Sequence, residues 1–212
     1  MKKPDRLLAD KLLEISAVKL QPEMPFVWGS GWNSPIYNDN RRILSYPDVR
    51  NFVKVGLANT VLEDYPEVEV IAAVSTAAIP FGTLVADVLG IPFVYVRSSH
   101  KDHGLENQIE GDLQPGKKVV MVEDIVATGG GSLKAAEAIR SNACEVLGGV
   151  CVFNYEFPAS VKRLRDADID VKSLCSYDTL VEAAIDIRYI ESSQEALLKE
   201  WRMDPANWVP EI

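Results

Sequence analysis

Cysteine is scarce in this chain, three residues in 212, and histidine is scarcer, with two. Cys144, Cys151 and Cys175 form no C-x-x-C pair and lie among apolar neighbours, which reads as reduced core thiols of a cytosolic protein and excludes a disulfide framework. His100 and His103, three apart and without a nearby cysteine, do not make a zinc site. Basic residues are in deficit, 22 against 31 acidic ones, a net charge of -9. Nucleic-acid surfaces need clustered Lys and Arg, so no nucleic-acid partner is expected and any anionic ligand must be held locally. No uninterrupted apolar run reaches membrane length. Asp5, Asp10 and Glu14 interrupt the first apolar pattern, which therefore reads as an amphipathic helix and not a signal peptide. A soluble cytoplasmic protein without a membrane partner is expected. No G-x-G-x-x-G opens a helix, and the glycines at 129 to 131 are followed by no Walker lysine, so dinucleotides and nucleoside triphosphates are poor ligand guesses.

What is present is concentrated in Val119-Val120-Met121-Val122-Glu123-Asp124-Ile125-Val126-Ala127-Thr128-Gly129-Gly130-Gly131-Ser132. An apolar β-branched run over Lys118 to Val122 ends in two acids, and a glycine-rich turn then opens onto a helical pattern from Ser132 to Ser141. The order is strand, carboxylates, phosphate loop, helix. A buried parallel strand fixes its C-terminal end, and ligands of open α/β sheets bind just outside such ends. Thr128 to Ser132 lack bulky side chains, so successive backbone N–H groups can converge on a phosphate, aided by the positive end of the helix. Acids so near a phosphate repel it unless they touch a neutral polyol or a cationic centre, and a phosphorylated ribose meets that condition.

Elsewhere the pattern alternates. Leu8, Leu12, Ile15 and the residues up to Leu20 recur at helical spacing until Pro22 and Pro25. The Trp-, Gly- and Asn-rich segment from Phe26 to Arg42 predicts short strands at Phe26-Val27-Trp28 and Pro35-Ile36-Tyr37 that form a small lid. Helices are predicted over Asp48 to Tyr65 and Pro80 to Leu89, and strands over Val68 to Val74, Phe93 to Val96 and Val146 to Phe153. After Pro158 come a helix to about Ala167, a strand near Val171 to Leu174, and helices around Thr179 to Ala184 and Gln194 to Trp201. Such alternation predicts a parallel sheet covered on both faces. The length suits one domain, 1–212, in which 1–42 forms an N-terminal helix and hood. The polar stretch Arg97 to Lys117 is long for a connection and concentrates Arg97, Lys101 and both histidines, a basic loop that calls for an anion.

The acids and glycine loop resemble the signature of type I phosphoribosyltransferases, whose paired acids hold the ribose hydroxyls while the loop holds the 5-phosphate of phosphoribosyl pyrophosphate. From about Phe26 to Phe153 the chain is similar to the bacterial orotate phosphoribosyltransferases. Arg97, Lys101, His103 and Gly104 fit that family's R-x-x-x-K-x-H-G loop, Asn107-Gln108-Ile109-Glu110-Gly111 fits its tail, and Ser30-Gly31-Trp32-Asn33-Ser34-Pro35-Ile36-Tyr37 looks like its hood. The resemblance implies an α/β fold, a type I phosphoribosyltransferase-like parallel sheet flanked by helices, with a small N-terminal hood and a mobile loop.

It also implies joining of orotate N1 to C1 of phosphoribosyl pyrophosphate, giving orotidine 5-monophosphate and pyrophosphate for pyrimidine synthesis. In that reading Lys101, Glu123 and Asp124 are catalytic, and Arg97, Lys101, His103, Glu123, Asp124, Ile125, Val126, Ala127, Thr128, Gly129, Gly130 and Gly131 bind phosphoribosyl pyrophosphate. Ser34, Pro35, Ile36, Tyr37, Ala127 and Tyr155 bind orotate. Magnesium arrives on the substrate, with no metal site made from protein alone, and a homodimer shares its active sites by lending Lys101 and His103 across. The pattern departs from the family at Gly29, Ala77 and Ser98, where many relatives carry lysines, at Ala127, where Ser or Thr touches orotate, and near Tyr155, where some use arginine. Transfer to another nucleobase and a non-catalytic phosphoribosyl pyrophosphate sensor are the competing readings.

Overall fold

The computed structural model describes residues 3–97 and 108–210. Helix α1 (Pro4–Glu14) opens with proline in its first turn, where the missing N–H costs nothing, and buries Leu8, Ala9, Leu12 and Leu13. The apolar recurrence towards Leu20 does not continue as helix. Ser16, with φ 54°, turns the chain, and the N–H of Ala17 donates to the Leu12 carbonyl and closes the helix end. Spacing then changes to two, and strand β1 (Val18–Leu20) alternates buried, exposed, buried. Leu20 is apolar in either pattern, which is why helical spacing seemed to persist.

The hood is two small antiparallel ribbons. β2 (Phe26–Val27) pairs with β3 (Asn33–Ser34), and β4 (Ile36–Asn38) pairs back onto β1, with Val18 opposite Asn38. A 3-10 turn, Asn40–Ser45, leads into α2 (Pro47–Asp64), which buries Val49, Val53, Leu57, Ala58 and Val61. There follow β5 (Val70–Val74), α3 (Ile79–Leu89), β6 (Phe93–Val96), β7 (Ile109–Glu110), β8 (Lys118–Val126), α4 (Gly130–Ser141) and β9 (Glu145–Asn154). The chain continues through α5 (Pro158–Asp166), β10 (Val171–Ser176), α6 (Tyr177–Asp186) and α7 (Glu195–Met203).

Among the described residues the main sheet has the order β10-β9-β8-β5-β6-β7, parallel except for β7, which runs antiparallel at the edge. Arg97 to Lys117 is therefore not irregular throughout, because its tail supplies β7 and buries Ile109 and Leu113. Residues 98–107, which include Ser98, Lys101, His103 and Gly104, lie outside the described residues. Two apolar clusters cover the two sheet faces: α1, α2, α3, α6 and α7 contribute to one, α4 and Leu164 of α5 to the other. From β5 the chain winds outward through β6, and from β8 it winds the other way through β9 and β10. The order thus reverses between β5 and β8, and the crevice at the carboxyl ends of strands flanking such a switch is where open α/β sheets take ligands.

Trp201 of α7 ties the hood to this body. It is fully buried, its indole N–H donates to the Asn33 carbonyl at 3.0 Å, and its ring meets Trp28, Tyr155, Phe157 and Tyr177 at centroid distances of 5.3 to 5.8 Å. Aromatic groups contribute area and edge-to-face attraction together. Trp201→Ala is expected to lower unfolding free energy by about 3–5 kcal/mol, the usual result of emptying a large aromatic site, measured by denaturant titration. A loss below about 1 kcal/mol would show that the hood does not depend on this anchor.

Candidate active site

Strand β8 runs four residues beyond Val122, so both acids lie within it. Its partner β9 holds it to the end, Glu123 beside Cys151 and Val126 beside Asn154. Adjacent strand residues face opposite ways, and the apolar groups before the acids show which way each points. Val119 and Met121 pack with Ala135, Ala136 and Ile139 of α4, whereas Val120 and Val122 belong to the other face. Glu123 follows the first pair and lies beneath α4, where Ser132 Oγ donates to its Oε1 at 2.8 Å. Asp124 follows the second pair, on the hood side.

The glycine loop permits this placement. Gly129 caps α4 with φ 73°, and a Cβ there would meet Ser160 Oγ at 3.0 Å and Leu164 Cγ at 3.2 Å, so both backbone sign and room require glycine. A Cβ on Gly131 would crowd Glu123 Oε1 at 3.2 Å. Arg163 of α5 donates to the Thr128 carbonyl at 3.1 Å and secures the loop from below. The first N–H groups of α4 have no acceptor within the helix and carry its positive end, which suits a phosphate.

Burial shapes the electrostatics. It lifts the Glu123 carboxyl to about 8, against the stabilising bond from Ser132, with the Asp124 charge adding to the rise. Asp124 is lifted to about 6 by burial, while the backbone N–H groups of Asp124 and Ile125 and the charge of Arg41 pull it down and Asp39 raises it. The carbonyl of Asp124 accepts from Asn40 Nδ2 at 2.6 Å. Arg41 is clamped to Asp39 through two hydrogen bonds, 2.6 and 2.9 Å, which together with its charge hold Asp39 low.

Beside the acids opens a cavity of about 380 Å³ lined by Val27, Trp28, Gly29, Ser30, Trp32, Tyr37, Asn38, Ile125, Ala127, Thr128 and Tyr155. Trp28 and Trp32 stack, and Trp28 leans on Tyr155 with 5.3 Å between ring centroids. Burial keeps the Tyr155 phenol neutral, well above its ordinary range. None of these lining residues is cationic. Of the residues expected to meet a base, Tyr37, Ala127 and Tyr155 are in the wall. Ser34, Pro35 and Ile36 are not among the lining residues: Ser34 is wholly buried and its hydroxyl is engaged by the Ile36 carbonyl at 2.7 Å and the Ile36 N–H at 3.2 Å, while Ile36 packs in the hood interior. The turn uses the serine as its own brace. Arg97 follows β6 at the same carboxyl edge as the acids and pairs with Glu110 at 3.4 Å. Lys101 and His103 fall outside the described residues.

Sequence reasoning missed Trp28 and Asn40, and Trp32 entered it only as part of the hood motif. Asn38 and Asn40 carried the available signal, since amides inside an apolar hood need partners. Both side-chain polar atoms of Asn38 and Oδ1 of Asn40 are buried without a hydrogen bond. Among the described residues no group of three or more His, Cys, Asp or Glu could hold a metal, and no helix is long and apolar enough to cross a membrane.

Residues 55–187 match the model of the phosphoribosyl transferase domain family. The chain is 54% identical over 208 residues to the orotate phosphoribosyltransferase of Bacteroides fragilis, covering 98% of both chains. Among solved structures it is similar to the orotate phosphoribosyltransferase of Aeropyrum pernix, with 27% identity, a TM-score of 0.76 and coverage of 86% of this chain and 99% of that one. It also resembles the UMP synthase of Leishmania donovani at 27% identity and a TM-score of 0.80, where it covers 94% of its own length and 42% of the larger chain.

The raised acids carry a stability consequence. Between about 4.5 and about 8 the folded protein keeps the Glu123 proton that the unfolded chain has released, so stability falls as pH rises through that window. Glu123→Gln, which still accepts from Ser132, should leave the ligand-free protein unchanged at pH 4 and raise its melting temperature at pH 9 by roughly 3 °C or more. Equal melting of variant and wild type at pH 9 would contradict a buried, proton-holding Glu123.

Proposed function

This chain belongs to the phosphoribosyltransferase family, among the orotate phosphoribosyltransferases, and from that membership we propose how its residues divide the work. It transfers the 5-phosphoribosyl group of phosphoribosyl pyrophosphate to orotate, giving orotidine 5-monophosphate and pyrophosphate in pyrimidine biosynthesis. The observation that carries the site assignment is the conjunction of a buried and a half-buried carboxylate near the end of β8 with the α4 N-terminus that follows them.

The loop from Ile125 to Gly131 holds the 5-phosphate, its backbone N–H groups supplying donors that need no side chain. This sets the ribose over Asp124, whose carboxylate orients the hydroxyls and favours the positive charge that C1 acquires as pyrophosphate departs. Glu123 stands behind it, protonated or ionised according to what the ligand brings, and braced by Ser132. Orotate enters the aromatic cavity, where Trp28, Trp32 and Tyr155 grip its faces and Asn38 offers an amide in want of partners. Its carboxylate meets the open turn at Gly29, where nothing stands within 4 Å of a Cβ position.

Magnesium would fit this set of hard oxygen donors, with Asp124 the residue that would help to hold it beside the diphosphate, and it would neutralise the leaving group's charge. Arg97, Lys101 and His103 serve the same leaving group. We place the enzyme in the cytoplasm, as a homodimer in which Lys101 and His103 complete the neighbour's site.

Orotate loss, followed at increasing enzyme concentration, should require both phosphoribosyl pyrophosphate and added magnesium, and full turnover in excess chelator would sink the metal assignment. Asp124→Asn should lower kcat by at least ~10-fold, equivalent to ~1.4 kcal/mol of transition-state stabilisation, with near-native melting. An unchanged kcat would remove Asp124 from the chemistry. Mixing Lys101→Ala and Asp124→Asn subunits should restore activity towards half of wild type per mixed dimer, because one intact site is rebuilt. No recovery despite confirmed exchange would refute the shared site.

A further inference from the structure

A hydrogen bond joins the hood to the acid strand, from the Asn40 side-chain amide to the Asp124 carbonyl, 2.6 Å long. The ladder with β5 ends at Ala73 beside Val122, and the register with β9 passes from Glu123 to Ile125. Asn40 itself is firmly seated: it is buried, Asp39 caps its 3-10 turn by accepting from the Arg41 N–H, and the Asp39 N–H donates to the Ala17 carbonyl at 2.8 Å. A short bond from a fixed donor sets the plane of the peptide it reaches.

That plane matters because a peptide's carbonyl and N–H are rigidly coupled. The carbonyl of Asp124 and the N–H of Ile125 are two ends of one unit, and that N–H is among the groups that pull the Asp124 carboxyl down against its burial. Donation to the carbonyl polarises the unit and strengthens the N–H as a donor. Asn40 thereby reaches the carboxylate without touching it.

We propose that Asn40 is a positioning residue for phosphoribosyl transfer, which fixes, through the Asp124–Ile125 peptide, the orientation in which the Asp124 carboxylate meets the ribose. The inference rests on the role given above to Asp124. Asn40 also follows Asn38 of the cavity wall by two residues, so one short segment serves the base and the ribose sides.

The test is a double-mutant cycle with Asn40→Ala, Asn40→Asp and Asp124→Asn in the full-length enzyme. Asn40→Asp keeps the shape and removes the donor. Each Asn40 variant should lose about five-fold in kcat, the value of one hydrogen bond, with the KM for orotate within about two-fold of wild type. Asn40→Ala combined with Asp124→Asn should be no slower than Asp124→Asn alone, because the strut acts through the group already lost. Additive losses, or a raised KM for orotate with kcat unchanged, would reduce Asn40 to a hood brace and overturn the proposal. An Asp124→Asn variant of normal kcat would instead remove the role of Asp124 on which it stands. Should the Asn40 variants unfold, the wild-type Asn40 side-chain amide resonances decide in the 15N-labelled enzyme: they should shift when phosphoribosyl pyrophosphate and magnesium are added without orotate, and no shift at saturation would overturn the proposal equally.

Discussion

Glu123 accepts its hydrogen bond from Ser132 where water scarcely reaches, and the elements around it are arranged to make that contact possible. A carboxyl group so placed pays a desolvation penalty when charged, which the fold accepts by letting it hold its proton to about 8. The strand beneath must therefore be rigid, and the helix above must approach closely. β8 is gripped by parallel neighbours on both sides and by apolar clusters on both faces. Gly131 lets α4 come down onto the carboxylate, and Gly129 lets the loop turn against α5. The α4 N-terminus is thereby held close beside the acids.

The hood is secured by a different kind of force. Its ribbons are too short to be stable alone, and its links to the body include the Trp201 indole, the aromatic stack around Tyr155 and the Asn40 amide. The same rings that anchor it also floor and wall the base cavity. Packing and the recognition proposed above therefore share Trp28 and Tyr155, where a planar ligand would add one more ring to an existing cluster. Among the described residues the cavity wall carries no cation, so the recognition proposed for it falls to ring faces, backbone and the Asn38 amide.

Elements with one dominant period were legible from residues alone. Phe93–Val96 was read to the residue, and α2, α3, α5 and β9 to within one or two, because a proline, a glycine or a clean run of β-branched residues marks each boundary. The first helix was read too long, since Val18 and Leu20 suit either period and the turn at Ser16 uses no glycine or proline. Strand β8 was read too short. Acids are poor strand residues by composition, and only pairing with β9 carries the strand through Glu123 and Asp124.

The order of strand, acids, small-residue loop and helix depends on chain neighbours alone, so the sequence by itself determined the parallel sheet, the glycine turn after the acids and the type of chemistry. Which way each acid points, which hood residues line the cavity and which brace it, and how Asn40 reaches across to Asp124 were decided only in three dimensions. Ser34 and Asn38 look equally available along the chain, yet one is sealed inside its own turn and the other stands in the cavity wall. The physical reason is that a side chain's partners in the hood come from ribbons and helices distant in sequence, and local propensity carries no information about which of them arrives.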